Sequence, residues 1–297
     1  MKTLSREYIS SLKRPDVEEW ADLFLFRPLA FLLVKAIFRT NITPNQLSVF
    51  SMMLGVAAGI IFGTGGPVTA GFGAALLFLS IVVDCADGQL ARLKNNGTPL
   101  GRLVDGAIDY VVGIAVYLGL GFGFAAVSPR PIHWWILVLA AAASNILHSI
   151  VFDYYRNRYL AYVHGVSSAL TDTIREFRAE YKRLARKPGQ GVRRRFIRLY
   201  LGYTAFQLKL SRDPMTMGPV EAEVFRRANS LAMRLWTFLG SSTQGILLIA
   251  AISLNRLDLY LGMMIVVLNI GMVALFLGQA GVDRRLKNIA SAGPASK

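Results

Sequence analysis

The chain has 297 residues, 54% of them hydrophobic, with a mean hydropathy of +0.43 and a formal net charge of +15. That is too apolar for an ordinary soluble domain, and positive charge beside so much apolar sequence suits a face against anionic lipid, not a nucleic-acid groove. The single cysteine, Cys85, excludes a disulfide framework and a cysteine-based zinc site, and is read as small packing, not a nucleophile.

No cleavable signal peptide is expected, because the first 22 residues mix Lys2, Arg6, Lys13 and Arg14 with five acidic residues. Residues 16–39 are predicted to form a helix along the membrane surface. Trp20, Leu23, Phe24, Arg27, Phe31 and Lys35 mix aromatic and basic side chains there, while Arg27, Pro28 and Lys35 argue against a short span. Thr43-Pro44-Asn45-Gln46 has the form of a capping box, with Thr43 as N-cap, Pro44 at the first helical position and Gln46 at the third. Six apolar segments follow at about 45–63, 70–93, 101–127, 132–155, 231–254 and 257–280, each near the length that crosses a bilayer core. Turns at residues 63–67, 128–131 and 255–256 separate the pairs. Of 33 Lys and Arg residues only Arg130 and Arg256 fall in those turns, so the opposite side, with both termini, is predicted to be cytoplasmic.

The second and third segments meet in a stretch rich in carboxylates, Asp84 to Asp109. Helical spacing sets Asp84, Asp87 or Gly88, and Ala91 along one stripe, and Gly101, Asp105 and Asp109 along another. Lys94-Asn95-Asn96-Gly97 is a short polar turn, and Thr98-Pro99 suits the start of the next helix. Such a tight hairpin is expected to bring the four aspartates to one level. Like charges gathered this way need a cation, and oxygen ligands suit a hard divalent ion that is shared with substrate phosphates. Gly88 and Ala91 leave the stripe bare, and Arg92 offers a planar fork suited to phosphate.

The pattern Asp84-x2-Asp87-Gly88-x2-Ala91-Arg92-x8-Gly101-x3-Asp105-x3-Asp109 resembles the signature of the CDP-alcohol phosphotransferases, which make phospholipids. Thr43-Pro44-Asn45 likewise resembles the segment that opens the first spanning helix of that family. The resemblance covers residues 40 to 160 well and the last two spans in outline. It implies two Mg2+ or Mn2+ ions, one held by Asp84, Asp87 and Asp105 and the other by Asp84, Asp105 and Asp109. It further implies that Asp109 takes the proton of the acceptor hydroxyl, and that Gly88, Ala91, Arg92 and Gly101 belong to the nucleotide site. A homodimer is implied as well.

Later in the chain, Asn145 and His148 lie inside the fourth segment, where a polar pair reads as interhelical glue. Its end, Asp153-Tyr154-Tyr155-Arg156-Asn157-Arg158, resembles the Tyr-x-Arg-x-Arg segment of family members that use a phosphorylated polyol. Arg156 and Arg158 are therefore either an acceptor-binding pair or plain positive-inside anchors. Ile174, Phe177, Tyr181 and Leu184 recur at helical spacing, as do Val192, Phe196, Leu199, Tyr203, Phe206 and Leu210 beside four arginines, with a break at residues 187–191. A basic amphipathic pair of this kind is expected to rest on lipid headgroups. Asp283-Arg284-Arg285-Leu286-Lys287 reads as anchoring.

The expected fold is an all-α integral membrane protein of six transmembrane helices. Its predicted parts are an interfacial N-terminal helix (1–41), spans one to four with the aspartate motif (42–158), a cytoplasmic helical insert (159–230), and spans five and six with a basic tail (231–297). The expected function is transfer of a phosphatidyl group from a CDP-linked lipid donor, CDP-diacylglycerol first, to a small polar alcohol, with release of CMP. A CDP-amino-alcohol:diacylglycerol phosphotransferase is the alternative. An intramembrane prenyltransferase would carry its aspartates on separate helices, and a cation transporter would continue the acidic path deeper into the spans.

Overall fold

The computed structural model describes residues 2–12, 14–96, 99–165, 169–184, seven positions between 191 and 202, and 221–291. These residues are overwhelmingly helical, and no strand occurs among them. In chain order the helices are α1 (Lys2–Ser11), α2 (Arg27–Ile37), α3 (Pro44–Phe62), α4 (Pro67–Leu93), α5 (Pro99–Val127), α6 (Pro131–His164), α7 (Ala169–Leu184), α8 (Ala222–Trp236), α9 (Ser241–Ser253), α10 (Leu257–Gly262) and α11 (Leu268–Ser291). Short π-helical turns at Asp22–Phe26 and Met263–Val267 lead into α2 and α11, and a 3₁₀ turn at Thr237–Leu239 follows α8.

Five segments are long and apolar enough to cross a membrane: Pro44–Phe62, Val68–Leu93, Asp105–Val127, Pro131–His164 and Leu257–Ser291. The predicted fifth span, 231–254, is not one straight helix. The pair Ala222–Leu239 and Ser241–Ser253 bends by 44° at Gly240, and only taken together do they make a sixth span. Two further differences lie near the N-terminus. The helix expected over 16–39 begins at Trp20 and ends at Ile37, because residues 14–19 form turns. Ahead of it stands α1, too short and too polar to be read from periodicity.

The chain divides into two compact units. The first comprises residues 1–152 and 234–274. At its centre α3 packs against both α4 and α5. The predicted capping box is present: Gln46 N–H donates to Thr43 Oγ1 at 3.3 Å and Thr43 N–H to Gln46 Oε1 at 2.9 Å, so α3 starts at a fixed place. The α3–α5 crossing is a glycine seam. A Cβ on Gly119 would lie 1.9 Å from the Gly59 carbonyl oxygen, and one on Gly123 would lie 1.9 Å from that of Phe62. Small residues at four-residue spacing let two backbones meet this way, as helices in lipid commonly do. Around the seam lies an apolar core of Ala58, Phe62, Leu77, Leu120, Val138 and Leu248 with their neighbours. A second cluster, including Phe26, Val34, Leu47, Val83, Ala86 and Leu90, seats α2 on α3 and α4. Large apolar side chains such as Val68, Phe122 and Ile132 stay exposed, as a lipid-facing surface requires.

The second unit comprises residues 153–233 and 275–297. Ile174, Phe177 and Leu184 of α7 are buried, as their spacing predicts, and Tyr181 takes hydrogen bonds from Arg198 and lies under Arg194. The apolar positions of the expected second stripe, Val192, Phe196, Leu199, Tyr203, Phe206 and Leu210, lie outside the described residues, as do positions 187–190 of the expected break at 187–191 and Thr98.

Candidate metal and phosphate site

The hairpin between α4 and α5 closes with a left-handed residue. Asn95 has φ +50°, and Asn96 N–H reaches back to the Ala91 carbonyl at 3.1 Å, which ends α4 in a Schellman-type turn. Lys94 donates to the carbonyls of Thr40 and Ile42 at 3.1 Å each, tying this turn to the segment before α3. One basic residue near the aspartates is thus occupied with backbone.

Asp84 and Asp87 lie one helical turn apart on α4, and Asp105 comes from the second turn of α5. Each offers a carboxylate oxygen within 4.8 Å of the others. Asp84 and Asp105 are half-buried and Asp87 is buried. Asp109, one turn further along α5, is exposed and stands outside this group of three. Ser48 of α3 donates to Asp87 Oδ2 at 2.5 Å. Three carboxylates so close, with oxygen donors only, fit a hard divalent cation, Mg2+ or Mn2+.

Beside the group, the Arg92 side chain lies along Gly88, where a Cβ would come within 3.3 Å of Nη1. Arg92 Nε–H donates to the Ser11 carbonyl at the end of α1 at 2.5 Å. Ala91 is half-buried next to it, and Gly101 sits in the first turn of α5. Cys85 packs in the second cluster with its thiol toward Asp22 Oδ1 at 3.8 Å, in keeping with its predicted packing role.

Several polar residues that periodicity passes over prove central to the first unit. Arg27 is buried, forms an ion pair with Glu18 and lies 3.9 Å from Asp22, while its carbonyl accepts from Gln89 Nε2 at 3.2 Å. Glu19 is buried against Gly240, where Thr243 donates to its Oε2 from both N–H (2.8 Å) and Oγ1 (3.0 Å). It caps the start of α9 from a distant part of the chain. Burial, with the Asp22 carboxylate adding to it, pushes the Glu19 carboxyl up to about 8, against the opposing hydrogen bonds from Thr243 and Ser242. Asn145 and His148 do serve as interhelical glue. Asn145 Nδ2 donates to Gln244 Oε1 of α9, and His148 Nε2 lies 3.0 Å from Asn269 Oδ1 of α11. Asn269 in turn donates to Ser144 Oγ at 2.8 Å and to the Ile265 carbonyl at 2.9 Å, closing the network over the π-helical turn.

In the second unit, Arg156 pairs with Asp153 at 2.9 Å, half-exposed. Arg158 is buried, pairs with Asp283 at 2.7 Å and lies over the Phe225 ring. Asp283, expected to be a plain anchor, is also bonded by Gln279 Nε2 at 2.9 Å.

A model of the CDP-alcohol phosphatidyltransferase family matches residues 41–174, which includes every motif aspartate. That match covers a little under half of the chain. The chain is 33% identical over 111 residues to a candidate cardiolipin synthase of Mycobacterium tuberculosis, covering 37% of this chain and 48% of that protein. The same figures hold for its Mycobacterium bovis counterpart. It is 31% identical over 101 residues to a phosphatidylinositol phosphate synthase of Mycobacteroides abscessus, covering 32% of this chain and 44% of that one. The chain thus spans just under half the length of these relatives. Both names describe phospholipid synthases, and in this chain the three-carboxylate group lies within the residues that the family model matches.

Proposed function

We propose that the protein is a membrane phospholipid-synthesis transferase. It moves a phosphatidyl group from CDP-diacylglycerol to the hydroxyl of a small polar alcohol and releases CMP. The observation that carries this is the convergence of Asp84, Asp87 and Asp105 within 4.8 Å, on the motif that the family model matches. Asp84, Asp87 and Asp105 hold the ions, with Asp109 contributing from the exposed rim. A divalent pair, when bound, supplies positive charge at the donor pyrophosphate.

The remaining roles fall to the chain itself. Gly88 and Ala91 let the nucleotide lie close to α4, with Gly101 across from them on α5. Arg92, released from the Ser11 carbonyl, turns its fork to a phosphate. Asp109 accepts the proton of the acceptor hydroxyl as that oxygen bonds to the β-phosphorus. The bond from that phosphorus to the bridging oxygen breaks, and CMP leaves. Asp109 suits this role because an exposed carboxylate at the rim can meet an incoming alcohol. Arg156 and Arg158 bind an anionic acceptor, which exchanges places with Asp153 and Asp283. The distribution of basic residues supports a site and both termini on the cytoplasmic side of the membrane.

The test is incubation of the purified protein with CDP-diacylglycerol and a panel of alcohols, with CMP release and lipid mass as readouts. Divalent-dependent CMP release with a new phospholipid is expected, abolished by chelator and by Asp84→Asn or Asp105→Asn. Full turnover in excess chelator would sink the metal reading. Turnover only with CDP-amino alcohols and diacylglycerol would move the assignment to that chemistry.

A further inference from the structure

Among the aspartates of the motif, Asp87 has a neutral donor from another helix buried against it. Ser48 and Asp87 are each 5% exposed, and the Ser48 hydroxyl lies 2.5 Å from Asp87 Oδ2. The same hydroxyl is 3.2 Å from the Pro44 carbonyl. It has one proton to give, and the shorter approach to a charged acceptor takes it. Because the capping box fixes where α3 begins, it also fixes where Ser48 stands. Behind it, Ser51 Oγ donates to the Ser48 carbonyl at 2.8 Å and Ser80 Oγ of α4 donates to the Ser51 carbonyl at 2.7 Å. The α3–α4 seam is therefore held in register by hydroxyls next to the carboxylate group.

We infer that Ser48 is a positioning residue for the metal site: its hydroxyl holds one oxygen of Asp87 and so aims the carboxylate toward Asp84 and Asp105. The inference rests on the metal reading given above and adds to it a residue from outside the aspartate motif. Physically, a carboxylate on a free side chain must be ordered when the ion arrives, whereas one already held by a buried donor has less to lose. Partners of this kind behind a metal ligand are worth about 10- to 100-fold in metal affinity. Ser48 acts through Asp87. Its effect has to appear in binding of the cation, before any chemistry.

The experiment is a Mn2+ binding isotherm, followed by electron paramagnetic resonance of free Mn2+, on the purified full chain without nucleotide. Ser48→Ala is expected to weaken Mn2+ binding about 10- to 100-fold, and Ser48→Thr to restore most of it. Ser51→Ala removes a hydroxyl from the same seam that bonds only backbone, and should lower thermal stability while leaving Mn2+ affinity unchanged. Should Ser48→Ala not fold, Ser48→Cys keeps the volume with a weaker donor and should shift the isotherm the same way. Equal Mn2+ affinity in the wild type and Ser48→Ala, or Ser48→Cys where Ser48→Ala does not fold, overturns the inference. So does a loss of affinity in Ser51→Ala as large as in Ser48→Ala, since that would be a general effect of loosening the seam. Absence of Mn2+ binding in the wild type overturns the metal reading itself, and the inference with it.

Discussion

Substituting Gly119 by alanine tests whether the backbone seam between α3 and α5 sets the geometry of the aspartates. The added Cβ would lie 1.9 Å from the Gly59 carbonyl oxygen, whereas an ordinary close carbon–oxygen approach is about 3.3 Å. The two backbones must then separate by more than about 1 Å, and neither partner atom belongs to a side chain that could rotate away. α5 cannot simply pivot, because Gly59 also meets Ala115 and Gly123 meets Phe62 along the same seam. The shift is therefore carried along α5, which bears Asp105, relative to α4, which bears Asp84 and Asp87. Overpacking of this kind costs about 1–3 kcal/mol, and a 1 Å misplacement at a reacting centre can cost about 100-fold in rate. The control is Gly113→Ala on the same helix, where a Cβ meets nothing within 4 Å. Thermal unfolding and CMP release are measured for both. Gly119→Ala should lose several degrees of melting temperature and most of its turnover, while Gly113→Ala should match the wild type. Equal behaviour of the two variants would refute the argument that the seam is closed by backbone contact.

Three further outcomes are expected. Asp109→Asn should lower kcat by about 10²- to 10⁴-fold with little change in affinity for the CDP substrate, since Asp109 stands outside the group of three; normal kcat with weak donor binding would make it a ligand alone. Arg156→Ala and Arg158→Ala should each raise KM for a phosphorylated acceptor by about 10- to 100-fold. Asp283→Asn is measured beside them: if Arg158 and Asp283 only brace each other, both variants lose stability and acceptor KM does not move. Glu19 gives a pH signature. Its folded carboxyl titrates at about 8 against an ordinary 4.5, with Asp22 facing it, so between those values the folded state holds a proton that the unfolded chain has released. Stability is therefore greatest below about pH 4.5, falls by up to about 1.4 kcal/mol per pH unit as pH rises, and levels off above 8. Glu19→Gln should flatten the melting temperature over pH 5–8.5, and parallel curves for the two proteins would contradict it.

What could be read directly from the sequence is what local spacing controls. Asp84 and Asp87 share a helical face because they are three residues apart, and the Thr43 box and the Asn95 turn rest on neighbours in the chain. The glycines at 55, 59 and 63, and at 119 and 123, were equally visible at spacing four. Hydropathy, however, sums apolar character and does not register that a missing Cβ is what allows a close crossing. The acidic run Glu18, Glu19 and Asp22 misleads for the opposite reason. In isolation it reads as a solvated edge, but Arg27, one helical segment on, and the N-terminal turn of α9, more than two hundred residues away, supply the donors that let it be buried. The bend at Gly240 belongs to the same fact. A straight fifth span would leave the buried Glu19 carboxyl without backbone donors, whereas a helix that restarts after Gly240 presents the free N–H groups of its first turn to it. Gly240-Ser241-Ser242-Thr243-Gln244-Gly245 does interrupt the apolar run there, but the acid that caps the restart is not next to it in the chain. A single sequence can thus locate carboxylates that act together within one hairpin. It cannot show that an N-terminal acid and a late glycine are two halves of one cap until the fold has brought them together.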